Sequence, residues 1–72
     1  MSTDGTLQVR VNGEHRRVTR GTSIAEMVGQ LGLEPGRVAV ERNLEIVARS
    51  TFAQVCVEDG DDYEIVHFVG GG

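Results

Sequence analysis

Between Thr6 and Val11 apolar and polar residues alternate, and the alternation stops at Asn12-Gly13. Nothing else in the chain restricts its fold as strongly. Leu7, Val9 and Val11 fall on one face and Gln8 and Arg10 on the other, the period of a half-buried strand. Asn-Gly is the strongest short-range hairpin signal, because a type I′ turn needs φ > 0 at both central residues. A strand over Thr6–Val11 and a return strand over Glu14–Val18 follow. The return strand is mostly polar (His15, Arg16, Arg17), which suits a sheet edge that must resist pairing with other chains.

After the loop Thr19–Thr22, Ser23 stands three residues before Glu26, the spacing of a capping box. Ile24, Met27, Val28 and Leu31 recur at i, i+3, i+4 and i+7, one apolar stripe on a helix of about two and a half turns. Gly32 suits the left-handed position that ends a helix, with Leu33 folding back on its last turn, and Pro35-Gly36 completes the break. Arg37–Arg42 reads as a third strand with Val38 and Val40 on one face, and Asn43 as a turn. Glu45–Ala48 reads as a short fourth strand. Ser50–Gln54 holds one helical turn with Phe52 as its buried anchor, Asp59-Gly60-Asp61 is a turn, and Tyr63–Val69 is the last strand. Residues 1–5 are expected to fray. The order predicts an α+β fold, one mixed sheet of four to five strands with a helix across one face. The first and last strands can lie side by side and parallel at its centre, since many residues separate them.

Seventy-two residues make one domain over 1–72, too small to hold a sizeable substrate pocket and a separate cofactor domain. A chain of this length buries only about 60% of its unfolded surface. The net charge of −4 argues against nucleic acid, whose binding relies on Lys and Arg neutralising phosphates. All seven basic residues are Arg, so the chain has no Lys side chain on which to build conjugates of itself. A single Cys cannot form an internal disulfide, which points to a reducing compartment. No apolar run is long enough for a transmembrane helix, and Met1–Gly5 does not resemble a signal peptide. A soluble cytoplasmic protein is the expectation.

No Ser-His-Asp set, phosphate-binding loop or zinc pattern is present, so no residue is assigned a catalytic role. Cys56, between Val55 and Val57, reads as an inert core residue, and His15 and His67 as surface residues. Glu58, Asp59, Asp61, Asp62 and Glu64 lack calcium-loop spacing. They read as a solvated turn, or as a patch steering toward a basic partner, and no metal site is expected. The end of the sequence is more informative. The last strand runs from Phe68-Val69 directly into Gly70-Gly71-Gly72. Glycine costs backbone entropy when ordered, so this segment adds nothing to folding. It does add reach, roughly 10 Å for three extended residues, and without Cβ atoms it can thread a slot that side chains would block. A terminal carboxylate on Gly72 is ionised at neutral pH. Such a tail can carry a carboxylate into another protein's active site; the alternative is a tail with no function. On the last strand Tyr63 and Ile65 point one way and Val66 and Phe68 the other. If the second face is open, Val66, Phe68 and Val69 offer a partner surface beside the tail.

The segments Val9-Arg10-Val11-Asn12-Gly13-Glu14, Gly21–Val28, Val38–Asn43, Ile46–Arg49, Glu58–Asp61 and Ile65–Gly72 together resemble the sulfur carriers of thiazole biosynthesis, the ThiS family. The terminal Gly-Gly and the Asp-Gly-Asp turn are the most diagnostic. The resemblance implies a ubiquitin-like β-grasp fold and a chemical cycle. A ThiF-type adenylyltransferase, using ATP and magnesium, would adenylate the Gly72 carboxylate. A persulfide sulfur, from a donor such as a cysteine desulfurase, would replace the adenylate and leave a thiocarboxylate. A ThiG-type thiazole synthase would take the sulfur for the thiazole of thiamine. Gly71 and Gly70 would thread the partner's slot, although relatives often place another small residue at the position of Gly70. On this reading the chain is a protein cosubstrate rather than an enzyme and binds no cofactor itself. Carriers for molybdopterin or cysteine synthesis, and ubiquitin-like protein modifiers, share the same tail and stay open as alternatives.

Overall fold

A computed structural model describes residues 5–68. Its strands are β1 (Thr6–Val11), β2 (Glu14–Thr19), β3 (Val38–Arg42), β4 (Glu45–Ile46) and β5 (Asp62–His67); its helix is α1 (Ile24–Gln30). Single 3-10 turns cover Pro35–Arg37 and Arg49–Thr51. The five strands form one sheet in the order β2-β1-β5-β3-β4. β1 and β5 are parallel at its centre, and the other pairings are antiparallel.

The hairpin forms as its sequence predicts. Asn12 and Gly13 take φ of 52° and 84°, the left-handed pair that a type I′ turn requires. The register sets Leu7 opposite Val18 and Val11 opposite Glu14. β2 is the edge strand, with Val18 its buried residue. Gly5 is more ordered than expected of a frayed start: its carbonyl accepts the Arg20 N–H at 2.8 Å. Residues 1–4 lie outside the described residues.

Every donor at the start of α1 finds a partner. Ser23 Oγ accepts from Glu26 N at 3.0 Å and Glu26 Oε1 accepts from Ser23 N at 2.9 Å, the reciprocal capping box. Ile24 N and Ala25 N donate to the carbonyls of Val55 and Phe52, both at 2.9 Å. The loop 52–57 is thereby strapped under the helix, with Phe52 and Val57 buried. Burying an aromatic side chain such as Phe52 contributes about 1.5–3 kcal/mol. At the other end Gly32 (φ 82°) donates to Gly29 O and Leu33 N to Val28 O, a Schellman closure. That closure stops the helix at Gln30, so it is shorter than the apolar stripe suggests. Leu31 becomes the cap and is only partly buried.

α1 buries Ile24, Met27 and Val28 against the inward residues of the sheet: Leu7, Val9 and Val11 from β1, Val38 and Val40 from β3, and Tyr63 and Ile65 from β5. Three further details depart from the sequence reading. β4 ends at Ile46 rather than Ala48, because after the Val47 N–H bonds to Val40 O at 2.9 Å the chain turns into the 3-10 segment. That 3-10 turn starts at Arg49, with Phe52 just beyond it. Cys56 is exposed and not a core residue. Its single antiparallel bridge to Ser23 orients the loop so that the next residue, Val57, points inward instead.

Candidate functional site

β5 is the centre of interest, since the sequence reading places the working end of the molecule just past it. Its alternation is as expected. Tyr63 and Ile65 face the helix and are buried, whereas Val66 and Phe68 face outward and are 58% and 50% exposed. Ala39 of β3 sits opposite Val66 in the register, so a small apolar strip lies on the open face where β5 leaves the sheet. Ile46 and Leu44 extend exposed apolar surface toward the β4 edge. Val69, Gly70, Gly71 and Gly72 lie outside the described residues.

The start of β5 is fixed by Asp61, which is buried at 6% exposure. Its carboxylate accepts from Tyr63 Oη at 2.7 Å, Glu58 N at 2.9 Å, Arg42 Nε at 3.0 Å and Asn43 Nδ2 at 3.1 Å. Burial alone would raise its pKa. The hydrogen bonds from Glu58, Tyr63 and Asn43 and the charge of Arg42 outweigh burial and hold the carboxyl below the usual range. The Tyr63 phenol is pushed well up, first by burial and then by its bond to the Asp61 carboxylate. Arg42 also reaches Glu58 Oε2 at 3.3 Å. Asp61 is thus a buried structural anchor, while Glu58, Asp59, Asp62 and Glu64 stay exposed. Asp59 also has a fixed task, accepting Gln8 N at 2.8 Å.

Two turn asparagines grip β5 from opposite sides. β1 ends at Val11 opposite Tyr63, and the Asn12 amide then stands in for one more peptide group. Its Oδ1 accepts Ile65 N at 2.8 Å and its Nδ2 donates to Ile65 O at 3.1 Å. On the β3 side Asn43, also left-handed at φ 52°, accepts Asp62 N on its Oδ1 at 2.9 Å and donates its own N–H to Asp62 O at 2.8 Å. Further along, Phe68 N donates to Arg37 O at 2.8 Å. The strand is therefore held on both edges as far as Ile65, and on the β3 edge as far as Phe68.

Sequence reasoning took Asn12 and Asn43 only as turn residues and missed these bonds. It also missed the Asp61 anchor, although a signal was present: a buried Tyr hydroxyl normally finds a partner, and Asp61 lies two residues before Tyr63. His15 and His67 are exposed, as expected. The Sγ of Cys56 has one long contact, to Gly21 O at 3.8 Å. Among the described residues no three His, Cys, Asp or Glu side chains gather to hold a metal ion, and no helix is long and apolar enough to cross a membrane. What this arrangement offers chemically is a firmly held strand with an apolar open face at its exit.

Known proteins with this pattern are specific. The ThiS family profile matches residues 9–72. The chain is 38% identical to the sulfur carrier protein ThiS of Bacillus subtilis, covering 89% of the chain and 98% of that protein. It is 48% identical over 66 residues to a thiazole synthase of Paramagnetospirillum magneticum, and it spans 20% of the length of that protein and of a second thiazole synthase, from Magnetococcus marinus. The crystal structure of a thiamine biosynthesis protein (ThiS) from Geobacter metallireducens superposes with a TM-score of 0.75 at 32% identity, over 92% of this chain and 100% of that one. A designed protein based on ubiquitin shares the fold, with a TM-score of 0.54 at 15% identity.

Proposed function

The chain belongs to the ThiS family, and on that premise we propose that it is a sulfur carrier for the thiazole of thiamine, with the carboxylate of Gly72 as its working group. The observation that carries the proposal is the course of β5. The strand lies at the centre of the sheet, is gripped from both sides, and leaves the sheet beside the exposed Val66 and Phe68, and the family match continues through residue 72. A scaffold of this kind suits presenting an end to another protein.

A carboxylate does not accept sulfur directly, because oxide is a poor leaving group. In the proposed cycle a ThiF-type enzyme, using ATP and magnesium, lets a Gly72 carboxylate oxygen attack the α-phosphorus and expel pyrophosphate. A persulfide sulfur then attacks the acyl carbon and expels AMP. A thiol cleaves the remaining S–S bond, leaving a thiocarboxylate and a new disulfide. Splitting one hard substitution into easier steps is the usual advantage of covalent intermediates. Gly70 and Gly71 would pass through the slots of the partner enzymes, and Val66, Phe68 and Val69 would contact the rim. Segments similar to this chain within longer thiazole synthases support a ThiG-type synthase as the acceptor. A desulfurase is the class of donor this chemistry needs, and the cytoplasm, with its ATP, is the compartment it implies.

Intact-mass spectrometry tests the proposal. The protein is taken from its native source, then incubated with the cell's activating enzyme, ATP and a sulfur donor. The expected result is a native mass ending at Gly72 and a gain equal to one oxygen replaced by sulfur on that residue. Gly72→Ala is expected to slow activation without changing the fold. A native chain that continues untrimmed past Gly72, or sulfur located elsewhere, would overturn the proposal. An amide bond from Gly72 to a target protein would favour the modifier reading instead.

A further inference from the structure

Of the two asparagines in the chain, Asn12 is followed by glycine and Asn43 by leucine. An asparagine before glycine is a reactive pair. Once the Gly13 nitrogen gives up its proton, its lone pair can attack Asn12 Cγ, because glycine has no side chain to block the approach. The turn lies in the open. Asn12 and Gly13 are exposed, and apart from the chain neighbours no atom lies within 4 Å of the place a Gly13 Cβ would occupy. Water and base therefore reach it. What opposes the reaction is the pairing with β5. Oδ1 is held by Ile65 N at 2.8 Å and Nδ2 by Ile65 O at 3.1 Å, so Cγ is fixed toward the strand. Closing a five-membered ring onto the Gly13 nitrogen requires the amide to turn off β5 and both bonds to break.

We propose that Asn12 is a deamidation site gated by β5: the amide is protected while it is clipped to Ile65 and reacts when the strand lets go. The Gly13 nitrogen bonds to Cγ, the Cγ–Nδ2 bond breaks, and Nδ2 leaves as ammonia with a proton from water. Water then opens the ring, at Cγ to give aspartate or at the backbone carbonyl to give isoaspartate. Either product undoes the clip. In aspartate an oxygen replaces the Nδ2 donor opposite Ile65 O, so two acceptors face each other. Isoaspartate also lengthens the main chain by one atom, which the two-residue turn between Val11 and Glu14 cannot absorb without losing its register. Damage at one turn thus falls on the central strand, and it accumulates with the time β5 has spent away from Asn12. Asn43 supplies an internal contrast. It is also left-handed and held at both amide atoms, by Asp62 N and Asp61 Oδ1, but the Leu44 side chain crowds the attacking nitrogen.

The test follows the full chain at mildly alkaline pH, in buffer and in unfolding guanidinium chloride. Peptide mass mapping locates the deamidation, and NMR measures hydrogen exchange at the Ile65 amide under the same buffer conditions. Ring closure is far slower than reclosing of the strand, so only the fraction of time spent open enters either rate. The expected result is reaction at Asn12 and not at Asn43 in guanidinium, and a rate at Asn12 at least about tenfold lower in the folded chain. That slowing is expected to match the protection of the Ile65 amide within about threefold. The product mimic Asn12→Asp is expected to keep the fold by circular dichroism and to lose about fivefold or more of the Ile65 protection. If that variant does not fold, the wild-type rates still decide. Deamidation equally fast in buffer and in guanidinium would overturn the proposal. So would a folded rate far below what Ile65 exchange allows, which would make the turn itself, and not the clip, the protecting element. Full Ile65 protection in a folded Asn12→Asp variant would overturn it as well.

Discussion

Replacing Asp61 by Ala removes the acceptor for four donors at once. Tyr63, fully buried, is left with an unpartnered hydroxyl, a loss of about 1–3 kcal/mol. The Glu58 N–H and the Asn43 amide each lose a bond worth about 1 kcal/mol. Arg42 suffers least, since it keeps its contact with Glu58 at 3.3 Å. The expected loss is about 3–5 kcal/mol, against roughly 4–11 kcal/mol for a whole domain of this length. Urea unfolding followed by circular dichroism measures it. Tyr63→Phe alone deprives the carboxylate of one donor and costs about 1 kcal/mol. In the double variant no hydroxyl is orphaned, so Asp61→Ala/Tyr63→Phe is expected to be more stable than the sum of the single losses allows. The pH dependence has a definite sign. The folded Asp61 pKa lies below its ordinary value, so at low pH the unfolded chain binds more protons at this site than the folded chain. The contribution of ionised Asp61 is therefore complete above the unfolded pKa of about 3.9 and disappears as pH falls through the lower folded value. The gap between wild type and Asp61→Ala is expected to hold from neutrality down to about pH 5 and to narrow in stronger acid. A loss below about 1 kcal/mol at pH 7, or strict additivity in the double variant, would refute this account of the anchor.

Asn12→Gly keeps the left-handed turn and deletes the amide that pairs with Ile65. It is expected to cost about 1–2 kcal/mol and to speed hydrogen exchange at the Ile65 amide, both measurable by NMR; unchanged exchange there would show that the side-chain pairing holds nothing. The Cys56 thiol is expected to react with iodoacetamide in the folded protein at the rate of an unfolded peptide thiol. Cys56→Ser is expected to change stability by less than about 0.5 kcal/mol, whereas protection from the reagent would return the residue to the core.

Most of the fold was legible because the local signals agree with one another. The alternation in β1, the Asn12-Gly13 turn, the Ser23/Glu26 box and Gly32 each require one conformation, and each is found in it. The parallel pairing of β1 with β5 was also within reach, since two apolar strands of a small sheet compete for its centre. The errors occur where one residue's environment is decided by distant chain. Cys56 lies in an apolar run, and no periodicity in three residues tells which of them points inward; the bridge to Ser23 decides that. β4 is short because the chain turns into the 3-10 segment just after the Val47 N–H reaches Val40 O, although β3 has residues left to pair. The side-chain bonds of Asn12, Asn43 and Asp61 join positions far apart in the chain, and a single sequence does not print such pairings. The proposed partner strip was half legible: the outward direction of Val66 and Phe68 follows from alternation, but its exposure depends on nothing covering that face.

The distribution of the polar side-chain bonds has a mechanical consequence for the proposed function. A carrier must surrender its end to one enzyme and then to another, so each partner pulls on whatever leaves the sheet after Phe68. An edge strand under such a pull can peel away one bond at a time. β5 is central, and a pull along it loads its bonds to β1 and β3 together, in shear. The Asn12 amide prolongs the β1 side to Ile65, where the backbone ladder alone would have ended at Tyr63. Asp61 and Asn43 secure the far end of the strand. A domain this small has little stability to spare, and the side-chain bonds of Asn12, Asn43 and Asp61 gather on the strand that leads to the proposed working end. This accounts for a buried carboxylate in a marginal core, where an apolar residue would be the simpler choice for stability alone.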